Sequence, residues 1–106
     1  MANSFGRDIL IQVAKPQEAA KFYAEQLGFG ISSEEHMLEM KGPNITLYID
    51  KGPEIGPVLE VFVTDVEDTK KRLVAHGCTI VREDPEIPRC YVRDPYGLVY
   101  NIARRH

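Results

Sequence analysis

The chain has 106 residues, of which 43% are hydrophobic and 27% charged, and its formal net charge is −3. A chain of this length builds a single hydrophobic core, and its acidic balance excludes the clustered basic face that nucleic-acid binding requires. No apolar run reaches the roughly 18 residues needed to cross a bilayer, and the N-terminus lacks a secretory apolar region, so we expect a cytoplasmic domain.

The chain contains only two cysteines, Cys78 and Cys90. They have neither CxxC spacing nor a secretory context, which disfavours a disulfide or a redox motif. We expect both to be reduced thiols in the core.

The first half of the chain begins with strand periodicity. Residues 8–13 alternate, with apolar side chains at the odd positions. Pro16 is suited to the first turn of a helix, and apolar residues then recur at helical spacing up to Gly28, which favours a left-handed helix end. The pattern predicts a strand followed by a helix.

Three short strands are predicted next, at residues 30–34, 36–40 and 45–50, with a turn at residues 41–44 between the last two. In the third of these strands only one face is apolar. Residues 51–57 are rich in glycine and proline and predict a linker.

The same order then begins again. Residues 58–63 alternate as a strand, Thr64 and Glu67 have the spacing of a capping box, and Gly77 is placed to end the following helix. Three further strands are predicted at residues 79–83, 89–93 and 98–103, with a hairpin turn at residues 94–97.

This repetition predicts an α+β fold of two tandem βαβββ modules in one domain of residues 1–106. The modules cover about residues 7–50 and 58–104, and residues 51–57 join them. Each sheet has one apolar face for its helix and one mixed polar face. Pairing the modules would curl the polar faces around a shared cleft.

Three strings carry a resemblance to a known family: AAKFYAEQLGF, VTDVEDTKKRLVAHG and VRDPYGLVYNI. Together they resemble the vicinal oxygen chelate superfamily, which includes glyoxalase I, extradiol dioxygenases and bleomycin-resistance proteins. The resemblance covers nearly the whole chain. It implies paired βαβββ modules that form a cupped mixed sheet with helices on the outer face, and it implies a homodimer.

Enzymes of this superfamily hold a divalent metal ion with four side chains, usually His, Gln or Glu. The resemblance places those positions at Asp8, Tyr48, Val58 and Asn101, and a shift of one residue would select Leu59 in place of Val58. Only Asp8 is a strong ligand for a hard cation, and valine or leucine cannot bind one. We therefore predict no bound metal ion and no cofactor.

The predicted cleft still contains groups suited to a small molecule. Asp8 and Glu60 are candidates for general acid and base chemistry, and carboxylates beside the rings of Tyr48 and Phe62 suit a cationic or flat aromatic ligand. Solvated carboxylates and ordinary packing of the rings are the alternatives. The full set of candidate ligand-binding residues is Asp8, Gln12, Thr46, Tyr48, Glu60, Phe62 and Asn101.

Other polar residues give weaker signals. His36, His76 and His106 form no usable pair along the chain, and His76 suits a helix C-terminus. Arg89 and Arg93 alternate on a predicted strand, where an anionic ligand or solvent could meet them, and we expect solvent.

The leading hypothesis is a metal-independent homodimer that binds a small molecule, as bleomycin-resistance proteins do. One alternative is an enzyme acting in the same cleft, either a lyase or isomerase using Asp8 and Glu60 or a dioxygenase-like enzyme with relocated metal ligands. The other is a regulatory or structural domain whose cleft is vestigial.

Overall fold

A computed structural model describes residues 4–34, 37–84, 86 and 89–104 of the chain. Over these residues the order βαβββ occurs twice, which confirms the α+β class and the doubled pattern. His36 and His106 lie outside the described residues. The elements are β1 (Ser4–Val13), α1 (Pro16–Leu27), β2 (Gly30–Ser33), β3 (Leu38–Lys41), β4 (Thr46–Lys51), β5 (Ile55–Val63), α2 (Val66–Ala75), β6 (Thr79–Asp84), β7 (Arg89–Arg93) and β8 (Val99–Arg104).

Residues 7–57 form one compact unit, which we call the first module. Its sheet has the order β2-β3-β4-β1, with β1 parallel to β4 and β3 antiparallel to both of its neighbours. Because α1 follows β1 directly, the chain crosses over one face of the sheet, and the apolar side chains of that face pack against the helix. The buried core of this module consists of Ala20, Leu38, Met40, Leu47 and Ile49.

Residues 4–6 together with residues 58–104 form a second compact unit, the second module. Its sheet has the order β5-β8-β7-β6, with β5 parallel to β8 and the other two pairs antiparallel. Val66 and Leu73 of α2 pack on a buried cluster formed by Cys78, Cys90, Val92 and Ile102. Each module therefore has a helix on one face of its sheet and a buried cluster of its own, which corrects the expectation of a single core.

Both cysteines belong to this second core. Cys78 and Cys90 are free and buried, as the sequence predicts. Burial raises the pKa of the Cys90 thiol, which disfavours the reactive thiolate.

Helix α1 has the bounds that its sequence predicts. It begins at Pro16 and ends at Leu27, and it is capped by Gly28, whose φ of 81° lies in the left-handed region that favours glycine. The backbone N–H of Gly28 donates to the carbonyl of Ala24 and thereby satisfies one of the helix's last carbonyls.

Helix α2 corrects one prediction. Its N-cap is Asp65, whose carboxylate accepts a hydrogen bond from the backbone N–H of Asp68 at 3.0 Å. The capping box between Thr64 and Glu67 is therefore wrong. Both Thr64 and Asp65 are residue types that cap helices, and the local backbone decides which one precedes the first turn.

The strands around the predicted linker are longer than their periodicity indicated. β4 continues through Lys51 and β5 begins at Ile55, so only residues 52–54 lie between them without regular structure. β1 likewise begins at Ser4, four residues before the alternation at Asp8. Among the described residues no helix is long and apolar enough to cross a membrane.

Candidate functional site

The face of the first sheet that lies opposite α1 carries all four of that module's predicted site residues. On β4, Thr46 lies between Asp8 of β1 and Lys41 of β3. Two residues further along β4, Tyr48 opposes Glu39 of β3. Residues that oppose one another across paired strands project to the same side of the sheet. We call this surface the first polar face, defined by Asp8, Gln12, Glu39, Lys41, Thr46 and Tyr48.

Glu39 lies at the centre of a hydrogen-bonded network that sequence reasoning missed. The hydroxyl oxygen of Ser32 lies 2.8 Å from Oε1 of Glu39, and the ammonium of Lys41 lies 3.7 Å from the same oxygen. Hydrogen bonds from Ser32 and Tyr48, with the charge of Lys41 as a smaller contribution, hold the pKa of the Glu39 carboxyl below its usual range. Glu39 is therefore an anion on this face at neutral pH.

Thr46 and Lys41 extend the same network toward β1. The Lys41 ammonium donates to the hydroxyl oxygen of Thr46 at 3.0 Å, and Thr46 is buried. Thr46 in turn neighbours Asp8 across the parallel pair. One lysine therefore contacts both Glu39 and Thr46 on a face that also carries Asp8.

Gln12 has a structural contact of its own. Its side chain is buried, and its amide nitrogen donates to the carbonyl of Pro53 at 3.0 Å. Gly52 packs directly over it, because a Cβ built at Gly52 would lie 2.5 Å from the Gln12 amide nitrogen. Gln12 thus holds the connection between β4 and β5, and direct contact with a ligand stays a prediction.

The corresponding face of the second sheet carries the other three predicted residues. Glu60 neighbours Asn101 across the parallel pair of β5 and β8, and Tyr91 opposes Asn101 on the other side. Phe62 lies two positions beyond Glu60 on the same strand face. We call this surface the second polar face, defined by Glu60, Phe62, Arg89, Tyr91 and Asn101.

Asn101 is held in one orientation. Its side-chain oxygen accepts a hydrogen bond from the backbone N–H of Cys90 at 2.9 Å. Since that contact fixes which side-chain atom is the oxygen, the position of the NH₂ group, a hydrogen-bond donor for a ligand, is fixed as well.

Glu60 is packed against the start of β1 within the second module. A Cβ built at Gly6 would lie 2.6 Å from Oε1 of Glu60 and 3.2 Å from the ring of Phe62. The absence of a side chain at Gly6 therefore makes room for both. Nothing in the alternation of β1 indicated this contact.

Arg89 corrects a second prediction. Only 14% of its side chain is exposed, since its guanidinium lies 5.5 Å from the centre of the Tyr91 ring and 3.8 Å from the Asp84 carboxylate. Solvent exposure is therefore wrong for Arg89, whereas Arg93 is exposed as expected. Tyr91 was missed because its ring is placed by strand pairing and not by local periodicity.

The four positions at which the family resemblance implies a metal ion do not fit one. The Tyr48 hydroxyl is hydrogen-bonded to Glu39, and Val58 is buried and has no donor atom. The side-chain oxygen of Asn101 accepts from the backbone N–H of Cys90, so it could offer a cation only its remaining lone pair, as a neutral ligand. Within the described part of the chain, no three His, Cys, Asp or Glu side chains are grouped so that they could hold a metal ion.

The second module also has a groove of about 510 Å³ on the side of α2. Three of its charged groups pair with one another: the Lys70 ammonium lies 2.7 Å from Glu83 and 3.3 Å from Glu67. The contact with Glu83 is the main reason that the pKa of Lys70 is raised. None of the predicted site residues lines this groove.

The predicted turn at residues 94–97 is confirmed. The Asp94 carboxylate accepts hydrogen bonds from the backbone N–H groups of Tyr96 and Leu98 at 2.9 and 3.0 Å, and Gly97 has a φ of 99°. These residues shape the turn between β7 and β8, as their chemistry predicts.

Comparisons with known proteins identify relatives by family and fold. The family model described as a glyoxalase-like domain matches residues 8–103. No functionally curated protein matches the chain significantly.

Solved structures with this fold are distant in sequence. A hypothetical protein from Bacillus halodurans C-125 is 12% identical with a TM-score of 0.66, and the match covers 100% of this chain and 96% of that one. A glyoxalase/bleomycin resistance protein/dioxygenase superfamily member from Vibrio splendidus 12B01 is 15% identical with a TM-score of 0.63, over 96% and 100%. A variant of homoprotocatechuate 2,3-dioxygenase from B. fuscum is 21% identical with a TM-score of 0.63, over 98% of this chain and 33% of that one.

Proposed function

Because the chain belongs to the family of glyoxalase-like domains, we propose that it binds a small molecule on its polar faces without the help of a metal ion. The ligand is a cationic or aromatic compound. The alternative is an enzyme that uses Asp8 and Glu60 as acid and base, and turnover with a bell-shaped pH profile would distinguish it from binding alone.

The proposal rests on the lack of charged ligand atoms at three of the four positions where the family resemblance implies a metal ion. Val58 has no donor atom, and Asn101 and Tyr48 can offer only neutral oxygens, which already take part in hydrogen bonds with Cys90 and Glu39. A single carboxylate, Asp8, cannot hold a catalytic ion by itself, since such sites use three or more protein ligands.

The ligand class follows from the side chains that share each face. The first polar face combines the carboxylates of Asp8 and Glu39 with the ring of Tyr48, and the second combines Glu60 with Phe62. Carboxylates attract a cation, and aromatic faces add cation–π attraction and stacking. That the two faces enclose one cleft stays a prediction, as do homodimerisation and a cytoplasmic location.

Asp8→Asn is the substitution that tests the proposal. The probe is tetraphenylphosphonium, an aromatic cation, and its binding is measured by equilibrium dialysis at low ionic strength. Removing one negative charge from the face is expected to weaken binding about threefold to tenfold, the range for a partly solvated charge pair at close distance. The midpoint of urea unfolding is expected to change little, because Asp8 is only partly buried.

Asp68→Asn is the matched control, since it makes the same chemical change on the exposed surface of α2. It should leave the affinity for tetraphenylphosphonium unaltered. Saturable binding by the wild-type protein with equal affinity in Asp8→Asn would remove Asp8 from the site.

A further inference from the structure

We propose that Glu39 and Lys41 together set the charge selectivity of the first polar face: Glu39 is the fixed anion that favours a cationic ligand, and Lys41 is a movable cation that moderates this preference. The inference rests on the proposed function, because it concerns the same ligand and the same face. It adds two residues that neither the family resemblance nor strand periodicity assigned to the site.

Glu39 lies beside Tyr48 on the first polar face. It opposes Tyr48 across the antiparallel pair of β3 and β4, so its carboxylate and the tyrosine ring project from the same side of the sheet. A ligand that stacks on the Tyr48 ring would therefore lie within a few ångströms of this carboxylate. At such a distance the attraction between a cationic ligand and this carboxylate is stronger than the ligand's hydrogen bonds to neutral groups.

Hydrogen bonds from its neighbours hold the Glu39 carboxylate in place. Its carboxylate is held by the hydroxyl of Ser32 at 2.8 Å and by Tyr48, and only 24% of its side chain is exposed. Its neighbours therefore fix the charge in one place before any ligand arrives. A preorganised charge loses little conformational entropy on binding.

The side chain of Lys41 is more exposed to solvent than that of Glu39. Its side chain is 56% exposed, its ammonium is 3.7 Å from Glu39, and it also donates to Thr46 at 3.0 Å. An ion pair this open to water is worth little, so a cationic ligand can displace the ammonium from Glu39 at small cost. An anionic ligand would instead meet the fixed carboxylate.

The experiment compares two probes of the same shape and opposite charge, tetraphenylphosphonium and tetraphenylborate, by equilibrium dialysis. Glu39→Gln keeps the length of the side chain and one acceptor oxygen, and it removes the negative charge. It should weaken tetraphenylphosphonium binding about threefold to tenfold and strengthen tetraphenylborate binding. Lys41→Gln should do the reverse, and both effects should shrink in 0.5 M salt, where the screening length falls to a few ångströms.

Glu18→Gln and Lys15→Gln are the matched controls. These residues form an exposed ion pair at 4.0 Å at the start of α1, on the other side of the first sheet. Neither substitution should change the ratio of the two affinities. A purely structural role for Glu39 would weaken both probes together, and this outcome would overturn the inference.

The outcomes separate this inference from the proposed function. If the wild-type protein binds neither probe saturably, both fail. If it binds tetraphenylphosphonium and Asp8→Asn weakens that binding, but Glu39→Gln and Lys41→Gln leave the affinity ratio unchanged, only the selectivity assigned to Glu39 and Lys41 fails.

Discussion

Replacing Met40 with alanine is expected to lower the free energy of unfolding by about 2–5 kcal/mol, the range for a large buried side chain cut back to a methyl group. Met40 is completely buried and opposes Leu47 in the core of the first module. The loss combines the transfer free energy of the removed atoms with the cavity that they leave. Since small domains are stable by only about 5–15 kcal/mol, urea denaturation should show a large shift of the midpoint.

Met37→Ala provides a matched control, because it removes the same atoms from a partly buried position just before β3. Its effect should be smaller than that of Met40→Ala. Should Met40→Ala fail to fold, Met40→Leu keeps most of the volume and is expected to cost less than about 1.5 kcal/mol. Equal effects of alanine at positions 37 and 40 would contradict the assigned core.

Gly52→Ala is expected to cost about 1–3 kcal/mol, although alanine suits the backbone at this position. The new Cβ would lie 2.5 Å from the amide nitrogen of Gln12 and 2.8 Å from its Cδ, so the Gln12 side chain must move. That movement breaks the hydrogen bond from Gln12 to the carbonyl of Pro53. The cost is measured by urea denaturation.

A double-mutant cycle isolates the cause. In a Gln12→Ala background the obstructing side chain is gone, and Gly52→Ala should be neutral or stabilising by up to about 1 kcal/mol, because alanine restricts the unfolded chain. If Gly52→Ala costs the same in both backgrounds, Gln12 does not hold the connection between β4 and β5. The cycle therefore also decides whether Gln12 is foremost a structural residue.

Much of the local structure could be predicted because its signals are local. Pro16 and Gly28 mark the two ends of α1 through their own backbone preferences, and Asp94 and Gly97 define a turn in the same way. The sequence spacing predicts Thr64 as the N-cap of α2, and the N-cap is Asp65, because both side chains can cap a helix and spacing alone does not separate them. In that case the backbone conformation of Asp65 selects the cap.

The parts of the candidate site that sequence reasoning missed depend on pairing between strands. Glu39 lies in one of the short predicted strands, and its importance follows from the residues beside it, Ser32 on β2 and Tyr48 on β4. Arg89 looked solvent-exposed until strand pairing set it beside Tyr91 and Asp84. Strand register is a non-local property, and alternation within one strand does not specify it.

The central claim is that ligand binding needs no metal ion, and metal analysis of the wild-type protein tests it most directly. Protein purified without chelator is dialysed against zinc, manganese, nickel or iron(II) salts, its metal content is measured by mass spectrometry, and tetraphenylphosphonium binding is compared before and after treatment with EDTA. We expect far less than one metal ion per chain and an affinity that EDTA leaves unchanged. One tightly bound ion per chain, removed by EDTA together with probe binding, would contradict it.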